Sequence, residues 1–323
     1  MMLDHEMPLK ILVTGASGFV GLRVLTQASN KGYKLVAQSR SKQEYAFEQA
    51  LLDITPETDW QKALVGVDCV VHCAARVHQM QEAEKDALAA YRYVNTQGTL
   101  NLARQAALAG VKRFIFLSSI KVNGEETKDG TAFQHDDQNI PTDPYALSKY
   151  EAEQQLLALA KITKLEVVII RPPLVYGEGV KANFLSMMNW VKKQIPLPFG
   201  VVRNKRSLVY LGNLVDLILV CCKHPKAAGE TFLVSDNHDV SLTQLLKNIA
   251  KEMHISPCLL PVPQTWLHLL LSLLGKSELG SRLCGNLQLD ITHTQNTLNW
   301  SPPVNHEHGI KRTVNFYLSQ SSK

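Results

Sequence analysis

The sequence predicts an α/β fold, a doubly wound parallel sheet with a smaller, mainly helical C-terminal lobe. Short apolar runs alternate with longer helical stretches from residue 9 to residue 172, and a glycine-rich turn follows the first run. The apolar runs, such as VDCVVHCA and LEVVIIRP, lack the polar alternation of a half-exposed strand. Strands that are apolar on both faces are typical of a parallel sheet covered by helices on both sides.

Individual elements follow from the same alternation. Strands are predicted at the apolar runs 10–15, 33–39, 67–74, 112–119 and 165–172. Helices are predicted over the intervening stretches 19–32, 56–66, 84–110 and 145–160. The two most apolar stretches, 208–222 and 266–274, are interpreted as buried helices, because polar residues interrupt the first and the second covers only about half of a bilayer. Attachment of 266–274 to a membrane surface is the alternative.

The pattern changes after Pro172 and Pro173, where Pro and Gly become frequent and mainly helical stretches follow. We therefore expect a first domain over 1–172, to which 208–236 returns. The second lobe is expected to consist of 173–207 and 237–323.

Composition limits the classes of function. The chain has 323 residues, of which 45% are hydrophobic, and a net charge of +5 without a dense Lys/Arg run. Nucleic acid is therefore not an expected partner. Six cysteines without a CxxC pair and a start without a signal-peptide pattern predict free thiols, a cytoplasmic location and no membrane span. The HEH stretch at 306–308 is interpreted as a polar turn before the last helix, since its i, i+2 spacing does not suit a metal site.

The turn TGASGFVG places Gly15, Gly18 and Gly21 between the first strand and its helix. Glycines allow a tight turn and a close approach of the backbone to a pyrophosphate, whose charge meets the helix N-terminus. The spacing is GxxGxxG, and its position at the start of an α/β chain predicts a dinucleotide site.

The end of the second strand bears on the choice of cofactor. Ser39 and Arg40 stand where an acidic residue would bind the adenosine ribose, and a guanidinium there favours a 2′-phosphate, hence NADP over NAD. Arg40 stacking on the adenine of either cofactor is the alternative. Asp53 is placed to meet the adenine amino group, or to cap a helix.

A candidate acid/base group lies in PYALSKY, where Tyr145 and Lys149 share one face of a predicted helix. A phenol has a pKa near 10, and lowering it by about 3 units takes about 4 kcal/mol. One ammonium about 4 Å away supplies that much at an effective dielectric of about 20. We therefore expect Lys149 to lower the pKa of Tyr145.

Five motifs in order, TGASGFVG, CAA, VNTQGT, FLSS and PYALSK, make the chain resemble the extended short-chain dehydrogenase/reductases of the nucleotide-sugar epimerase and dehydratase type. The resemblance covers essentially the whole chain and implies a Rossmann domain, a nucleotide-sugar-binding lobe and a homodimer. It implies a catalytic triad of Ser119, Tyr145 and Lys149, with Ser118 supporting the strand end. It also implies cofactor contacts by Phe19, Val20, Ile54, Ala74, Ala75, Asn95, Pro172, Tyr145 and Lys149.

The same resemblance implies that the sugar diphosphate is held by Asn183, Arg206 and Arg282. Ile120 and Lys121 replace the Asp and Glu that drive water elimination in the family's 4,6-dehydratases, so dehydration is not expected. Lys121 contacts the substrate or lies in solvent. His78 is a further candidate for the sugar pocket.

We therefore expect an oxidoreductase acting at C4 of a UDP-linked hexose, with an N-acetylamino sugar favoured. The stretches SSIKVNGEE and RLCGNLQLD resemble reductases of a UDP-4-keto-6-deoxy sugar used for surface polysaccharide, and with Arg40 they favour a 4-ketoreductase. A 4-epimerase with tightly bound NAD uses the same residues and is the alternative. A redox-sensing regulator without catalysis is a remote third hypothesis.

Overall fold

The computed structural model describes residues 8–77, 86–267 and 283–321. Two compact units make up the chain. The first consists of Met1–Val122, Gln138–Arg171 and Val215–Phe232, and the second of Asn123–Asp137, Pro172–Leu214 and Leu233–Lys323. The domain boundaries expected from the sequence stay a prediction.

A seven-stranded sheet is the centre of the first unit, with the strand order β3-β2-β1-β4-β5-β6-β9. Its strands are β1 (Lys10–Thr14), β2 (Lys34–Ser39), β3 (Glu48–Leu51), β4 (Cys69–His72), β5 (Arg113–Leu117), β6 (Glu166–Arg171) and β9 (Thr231–Leu233). Every pairing from β3 to β6 is parallel. The predicted α/β class with a doubly wound parallel sheet is confirmed.

The apolar runs form the strands because the sheet is buried between layers of helices. Leu12, Val70, Phe114, Phe116 and Ile169 are all fully buried in one core cluster. The helices of this unit are α1 (Phe19–Asn30), α2 (Ala87–Tyr91), α3 (Thr99–Leu108) and α4 (Pro144–Ile162), and α6 (Leu211–Lys223) begins in the second unit. Short 3₁₀ turns cover Ile120–Val122 and Pro225–Ala227.

Three sequence predictions were wrong in detail. Residues 56–66 form turns instead of a helix, because the Asn101 and Gln105 side chains donate to the Thr58 carbonyl oxygen at 2.8 Å and hold the segment against α3. The long helix expected over 84–110 is interrupted by a π-helical turn, Arg92–Gly98. The apolar stretch 208–222 is the end of a strand followed by a helix. Strand β3, with no buried residue, was not predicted.

The second unit contains a three-stranded sheet with the order β10-β8-β7. Its strands are β7 (Leu174–Tyr176), β8 (Arg206–Tyr210) and β10 (Asp239–Val240), and its helices are α5 (Ala182–Lys192), α7 (Leu242–Glu252), α8 (Thr292–Leu298) and α9 (His306–Ser321). Strand β7 is parallel to β8, and β10 is antiparallel to it. The HEH stretch is therefore the first turn of α9, not a turn before it. Residues 268–274 of the second apolar stretch lie outside the described residues.

A buried polar network organises this second unit. The Tyr176 hydroxyl donates to Asp236 Oδ2 at 2.6 Å. Asp236 Oδ1 accepts from the Tyr210 backbone N–H and from Asn213 Nδ2, both at 2.8 Å. Burial, followed by the Asp236 carboxylate, raises the pKa of Tyr176, so this phenol remains a neutral donor. A buried carboxylate with three donors ties β7, β8 and α6 together.

All six cysteines are free thiols, as expected, and Cys69, Cys221, Cys222 and Cys284 are buried. Burial raises the pKa of Cys73 to about 12. No helix among the described residues combines the length and the apolar character needed to cross a membrane.

Candidate active site

The glycine turn after β1 is built without room for side chains. Gly15 has a φ of +63°, and a Cβ on it would stand 2.9 Å from the Ala74 backbone. A Cβ on Gly21 would stand 2.3 Å from the Gly15 carbonyl oxygen, and one on Gly18 would stand 3.0 Å from the same atom. The backbone N–H of Gly18 donates to that oxygen at 2.9 Å. The three predicted glycines therefore fold the turn tightly on itself.

Helix α1 presents its N-terminus at the end of this turn. Its N-cap, Gly18, offers no side-chain hydrogen bond, and the first turn, which begins with the half-buried Phe19 and Val20, contains no acidic residue. The first backbone N–H groups of a helix lack intrahelical partners and attract anions. These features fit the pyrophosphate of a dinucleotide.

The end of β2 lies beside the glycine turn. Gln38 Oε1 accepts from the Gly15 backbone N–H at 2.9 Å, and Gln38 Nε2 donates to the Leu52 carbonyl oxygen at 2.6 Å. Ser39 is buried and its hydroxyl donates to the Ser41 carbonyl oxygen at 2.6 Å, whereas Arg40 is exposed. The side chain of Gln38 therefore fixes the turn, a role that the sequence analysis missed.

Asp53 and Ile54 follow strand β3. Asp53 is exposed, and its Oδ1 accepts from the Ile54 backbone N–H at 2.9 Å. Ile54 is buried, and its carbonyl lies 3.0 Å from where a Cβ on Gly98 would stand. This close approach makes Gly98, in the π-helical turn, a fourth glycine of the first unit without room for a side chain, after Gly15, Gly18 and Gly21.

Asn95 connects the end of β4 to α4. Its Oδ1 accepts from the Arg76 backbone N–H at 2.8 Å, and its Nδ2 donates to the Arg76 carbonyl oxygen at 3.0 Å and to Ser148 Oγ at 3.1 Å. The Ser148 hydroxyl in turn donates to the Tyr145 carbonyl oxygen at 2.7 Å. Asn95 thus orders the half-buried segment Ala74–Ala75–Arg76 and, through Ser148, the first turn of α4.

His72 bridges two elements beneath this segment. Its ring nitrogens lie 2.7 Å from Thr14 Oγ1 and 2.9 Å from Thr99 Oγ1. Burial, followed by the positive charge of Lys149, lowers the pKa of His72 to about 3. The imidazole is therefore neutral and serves as a structural bridge between β1, β4 and α3.

Ser118 and Ser119 end strand β5 and differ in their contacts. Ser118 is buried and its hydroxyl donates to Glu153 Oε1 at 2.5 Å. Ser119 is half-buried, and its Oγ accepts a weak bond from the Lys121 backbone N–H at 3.3 Å. Ser118 thus supports the strand end, and Ser119 is the hydroxyl closer to solvent.

Tyr145 lies in the first turn of α4, where Asp143 is the N-cap and accepts from the Ala146 backbone N–H at 2.9 Å. Its ring packs edge-on against Tyr91, with centroids 5.8 Å apart. Burial, followed by Asp143 and Tyr91, raises the pKa of Tyr145 to about 12. This direction is opposite to the expected lowering by Lys149.

Lys149 explains the difference. The ammonium is buried, donates from Nζ to the Leu117 carbonyl oxygen at 2.9 Å and lies 4.4 Å from the centroid of the Phe116 ring. Burial lowers the pKa of Lys149 to about 8, although Glu153 and Cys73 act in the other direction. The sequence places Lys149 and Tyr145 on one helical face, but the described hydrogen bond of the ammonium goes to the end of β5.

The residues predicted to hold the sugar diphosphate belong to the second unit, whereas Ser119 and Lys121 lie in the first. Asn183 is exposed in the first turn of α5. Arg206 donates from Nη1 to the Gly285 carbonyl oxygen at 3.1 Å, and burial lowers its pKa. Pro172, predicted to contact the cofactor, is buried and begins the second segment of this unit, Pro172–Leu214. Arg282 and His78 lie outside the described residues. Among the residues that the structure describes, no group of His, Cys, Asp or Glu is arranged for a metal ion.

Comparison with known proteins agrees with this architecture. The model of the NAD dependent epimerase/dehydratase family matches residues 11–235. A Vibrio cholerae UDP-glucose 4-epimerase is 49% identical over 99% of both chains. An Escherichia coli O157:H7 protein, N-acetyl-alpha-D-glucosaminyl-diphospho-ditrans,octacis-undecaprenol 4-epimerase, is 28% identical over 97% of this chain and 96% of its own.

Solved structures share the fold. The Bacillus cereus UDP-glucuronic acid 4-epimerase in complex with NAD has a TM-score of 0.79 at 21% identity, covering 98% of this chain and 100% of its own. The Thermotoga maritima UDP-glucose 4-epimerase with UDP-glucose has a TM-score of 0.74 at 22% identity, covering 97% and 100%.

The parallel sheet and the glycine turn form a Rossmann-type fold of the short-chain dehydrogenase/reductase class. Within that class the chain belongs to the NAD-dependent epimerase/dehydratase family. The predicted family and the prediction of an enzyme are confirmed. The turn and the uncapped N-terminus of α1 fit the pyrophosphate of NAD, the cofactor in the family's name, while the predicted preference for NADP stays a prediction.

Proposed function

We propose that this protein is a UDP-hexose 4-epimerase that holds NAD and inverts the hydroxyl at C4 of its sugar. The observation that carries the proposal is the 49% identity, along the full chain, to the Vibrio cholerae UDP-glucose 4-epimerase. The proposal reverses the order of the two sequence hypotheses, since the 4-ketoreductase was favoured there.

The residues of the first unit support this chemistry. NAD, when bound, supplies the acceptor and donor of hydride at the sugar carbon. In our proposal Tyr145 takes the proton of the C4 hydroxyl and later returns it, and Ser119 hydrogen-bonds the C4 oxygen. An ammonium has three donors, and Lys149 uses one on the Leu117 carbonyl oxygen, so the others are suited to the phenolate and the nicotinamide ribose.

We also propose that the first unit binds the dinucleotide and the second binds the UDP-sugar. Arg206 supports the second part, because a half-buried guanidinium that bonds one carbonyl oxygen retains donors for a diphosphate. Asn183 and Arg282 complete the proposed diphosphate site. We further propose a cytoplasmic homodimer that serves surface-polysaccharide synthesis.

A 4-ketoreductase that consumes NADPH is the second candidate. Arg40 favours it, because an exposed guanidinium directly after β2 suits the 2′-phosphate of NADP. The replacement of the elimination carboxylates by Ile120 and Lys121 disfavours a dehydratase in either case.

The experiment starts from purified protein without added coenzyme. We expect denaturation to release NAD, and we expect UDP-glucose and UDP-galactose, or their N-acetylamino counterparts, to interconvert in an NMR assay. The Tyr145→Phe variant is the matched control. Release of NADP, no interconversion, and loss of reduced-nicotinamide absorbance with a UDP-4-keto-6-deoxy sugar and NADPH would establish the reductase instead.

A further inference from the structure

Lys121 and Asp143 form an ion pair at the carboxyl end of β5. Lys121 Nζ lies 3.5 Å from Asp143 Oδ2, with side chains 33% and 27% exposed. The backbone N–H of Lys121 also donates to Ser119 Oγ at 3.3 Å. The 3₁₀ turn Ile120–Val122 is thus joined to the proposed catalytic serine on one side and to the start of α4 on the other.

Asp143 is also the N-cap of α4. Its other carboxylate oxygen, Oδ1, caps α4 by accepting from the Ala146 backbone N–H at 2.9 Å, and Tyr145 lies two residues further along. After burial, the Asp143 charge is the largest cause that raises the pKa of Tyr145, followed by Tyr91 from α2. Within the first two turns of α4, the cation is Lys149, which donates to the Leu117 carbonyl oxygen. Lys121 pairs with Asp143 from outside the helix.

We propose that Lys121 is a positioning residue for proton transfer by Tyr145: its ammonium neutralises the Asp143 carboxylate, so that the N-cap of α4 is retained without an uncompensated negative charge beside the phenol. This inference rests on the proposed function, in which Tyr145 transfers the proton. In this inference Lys121 acts on Asp143, the N-cap of α4, and does not contact the substrate. An acidic N-cap stabilises a helix, yet its charge opposes formation of a phenolate.

The test is a double-mutant cycle of Lys121→Met and Asp143→Asn, read as the pH dependence of kcat for the proposed epimerisation. Asn is as good an N-cap as Asp, so Asp143→Asn removes the charge and keeps the helix start. We expect Lys121→Met to move the acidic limb upward by about 0.5 pH unit, a roughly threefold loss of kcat on that limb. Asp143→Asn moves it downward.

In the double variant Lys121→Met is expected to add no further shift, because its partner charge is gone. Lys121→Arg keeps the charge and is expected to retain the wild-type profile. Lys112→Met is the matched control, since this exposed lysine precedes the same strand at its opposite end. In about 1 M salt, where screening acts within about 3 Å, the Lys121→Met shift is expected to shrink.

Direct titration of Tyr145 separates this inference from the proposed function. Protein labelled with ¹³C at the tyrosine ζ carbon and loaded with NAD gives the Tyr145 signal by comparison with Tyr145→Phe, and needs no substrate. An upward shift of this titration in Lys121→Met, absent in the Asp143→Asn background, supports the inference even if the enzyme proves to be a reductase. A raised KM that persists in the Asp143→Asn background, with an unmoved titration, would overturn it in favour of a substrate contact.

Discussion

At the scale of single residues, burial shifts the pKa values of the candidate acid/base group, Tyr145, and of the neighbouring Lys149 in opposite directions. The pKa of Tyr145 is raised to about 12 and that of Lys149 is lowered to about 8, each mainly by burial. Both directions favour the uncharged pair over the phenolate and ammonium. For the proton transfer that we propose, a Tyr145 phenolate at neutral pH would need stabilisation by Lys149 and by the positive charge that oxidised NAD would supply.

Replacement of Tyr145 by Phe removes the proposed proton carrier and keeps the ring that packs against Tyr91. We expect kcat to fall by at least about 100-fold, because general acid–base catalysis contributes that much, with little change in KM. Steady-state kinetics of the epimerisation measure it. Tyr150→Phe, in the same helix, is the control and should retain wild-type turnover. Full activity of Tyr145→Phe would remove this residue from the mechanism.

The glycine turn predicts a graded pair of substitutions. An added methyl group on Gly21 meets the Gly15 carbonyl oxygen at 2.3 Å, whereas one on Gly18 meets it at 3.0 Å. Gly21→Ala must therefore displace the turn, and we expect NAD affinity to fall by more than about tenfold, or more than about 1.4 kcal/mol. Gly18→Ala requires the Gly15 carbonyl oxygen to move by only a few tenths of an ångström, so this variant should lose less NAD affinity. Isothermal titration of NAD into protein freed of its bound nucleotide gives both values, and equal affinities would contradict this account.

The residue types at the site follow from sequence, but several of their contacts do not. TGASGFVG and PYALSK identify the glycines, Tyr145 and Lys149 because their spacing is local. Gln38, Ser148 and His72 escaped notice, because each gains its role from a partner that is distant in sequence: Gln38 bonds Gly15, Ser148 bonds Asn95 and His72 bonds Thr99. The position of Gln38 and His72, as polar residues at the end of an apolar strand, was the sequence feature that could have indicated these roles.

At the scale of secondary-structure elements, helix α4 is fixed by two Arg–Glu pairs in different environments. Glu153 is buried and accepts from Arg171 of β6 through both oxygens, at 3.0 and 2.5 Å, and from the Ser118 hydroxyl of β5. Glu151, two residues earlier, accepts from Arg92 through both oxygens, at 2.8 and 2.5 Å, with side chains 23% and 42% exposed. Helix α4 therefore carries one Arg–Glu pair that is buried and one that is exposed to solvent.

Burial decides the cost of breaking each pair. Glu153→Ala removes the carboxylate that accepts two hydrogen bonds from the buried Arg171 guanidinium, and we expect the free energy of unfolding to fall by about 3–5 kcal/mol. Arg92→Ala removes a surface pair whose attraction is screened by solvent, and it should lower the free energy of unfolding far less. Urea unfolding of the two variants beside the wild-type protein makes the comparison. A similar loss in both variants would show that the Glu153 contacts do not hold α4 to the sheet.

The elements themselves could be predicted where burial makes the pattern strong. The strands β1, β2, β4, β5 and β6 are continuous apolar runs, and α1 ends near a glycine as expected. The segment 56–66 has helical composition but is held as turns by side chains from α3, and β3 carries no buried residue that could reveal it. Tertiary contacts overrode local helical propensity in the segment 56–66, and β3 has no hydrophobic pattern that would predict a strand.

At the scale of the whole molecule, two groups whose pKa is lowered by burial, His72 and Lys149, contribute to the dependence of stability on pH. His72 has a pKa of about 3 in the folded protein, against about 6.5 in an unfolded chain. The unfolded chain therefore binds more protons between pH 6.5 and 3, and the folded state loses stability as the pH falls through this window. The pKa of Lys149 is about 8 in the folded protein against 10.5 in an unfolded chain. Between pH 8 and 10.5 the unfolded chain again binds more protons, so the free energy of unfolding rises with pH in this window.

The His72→Gln variant tests this linkage. Glutamine can still hydrogen-bond Thr14 and Thr99 but does not titrate, so the variant should lose less stability on acidification, whatever its stability at neutral pH. At pH 5.5, one unit below 6.5, the His72 term amounts to about 1.4 kcal/mol. We expect the drop in unfolding free energy between pH 7.5 and 5.5, from urea titrations, to be smaller by that amount in His72→Gln. His308→Gln, at an exposed position, should leave the drop unchanged. An equal drop in His72→Gln and wild-type protein would mean that this imidazole is protonated within the fold, which its burial and the positive charge of Lys149 oppose.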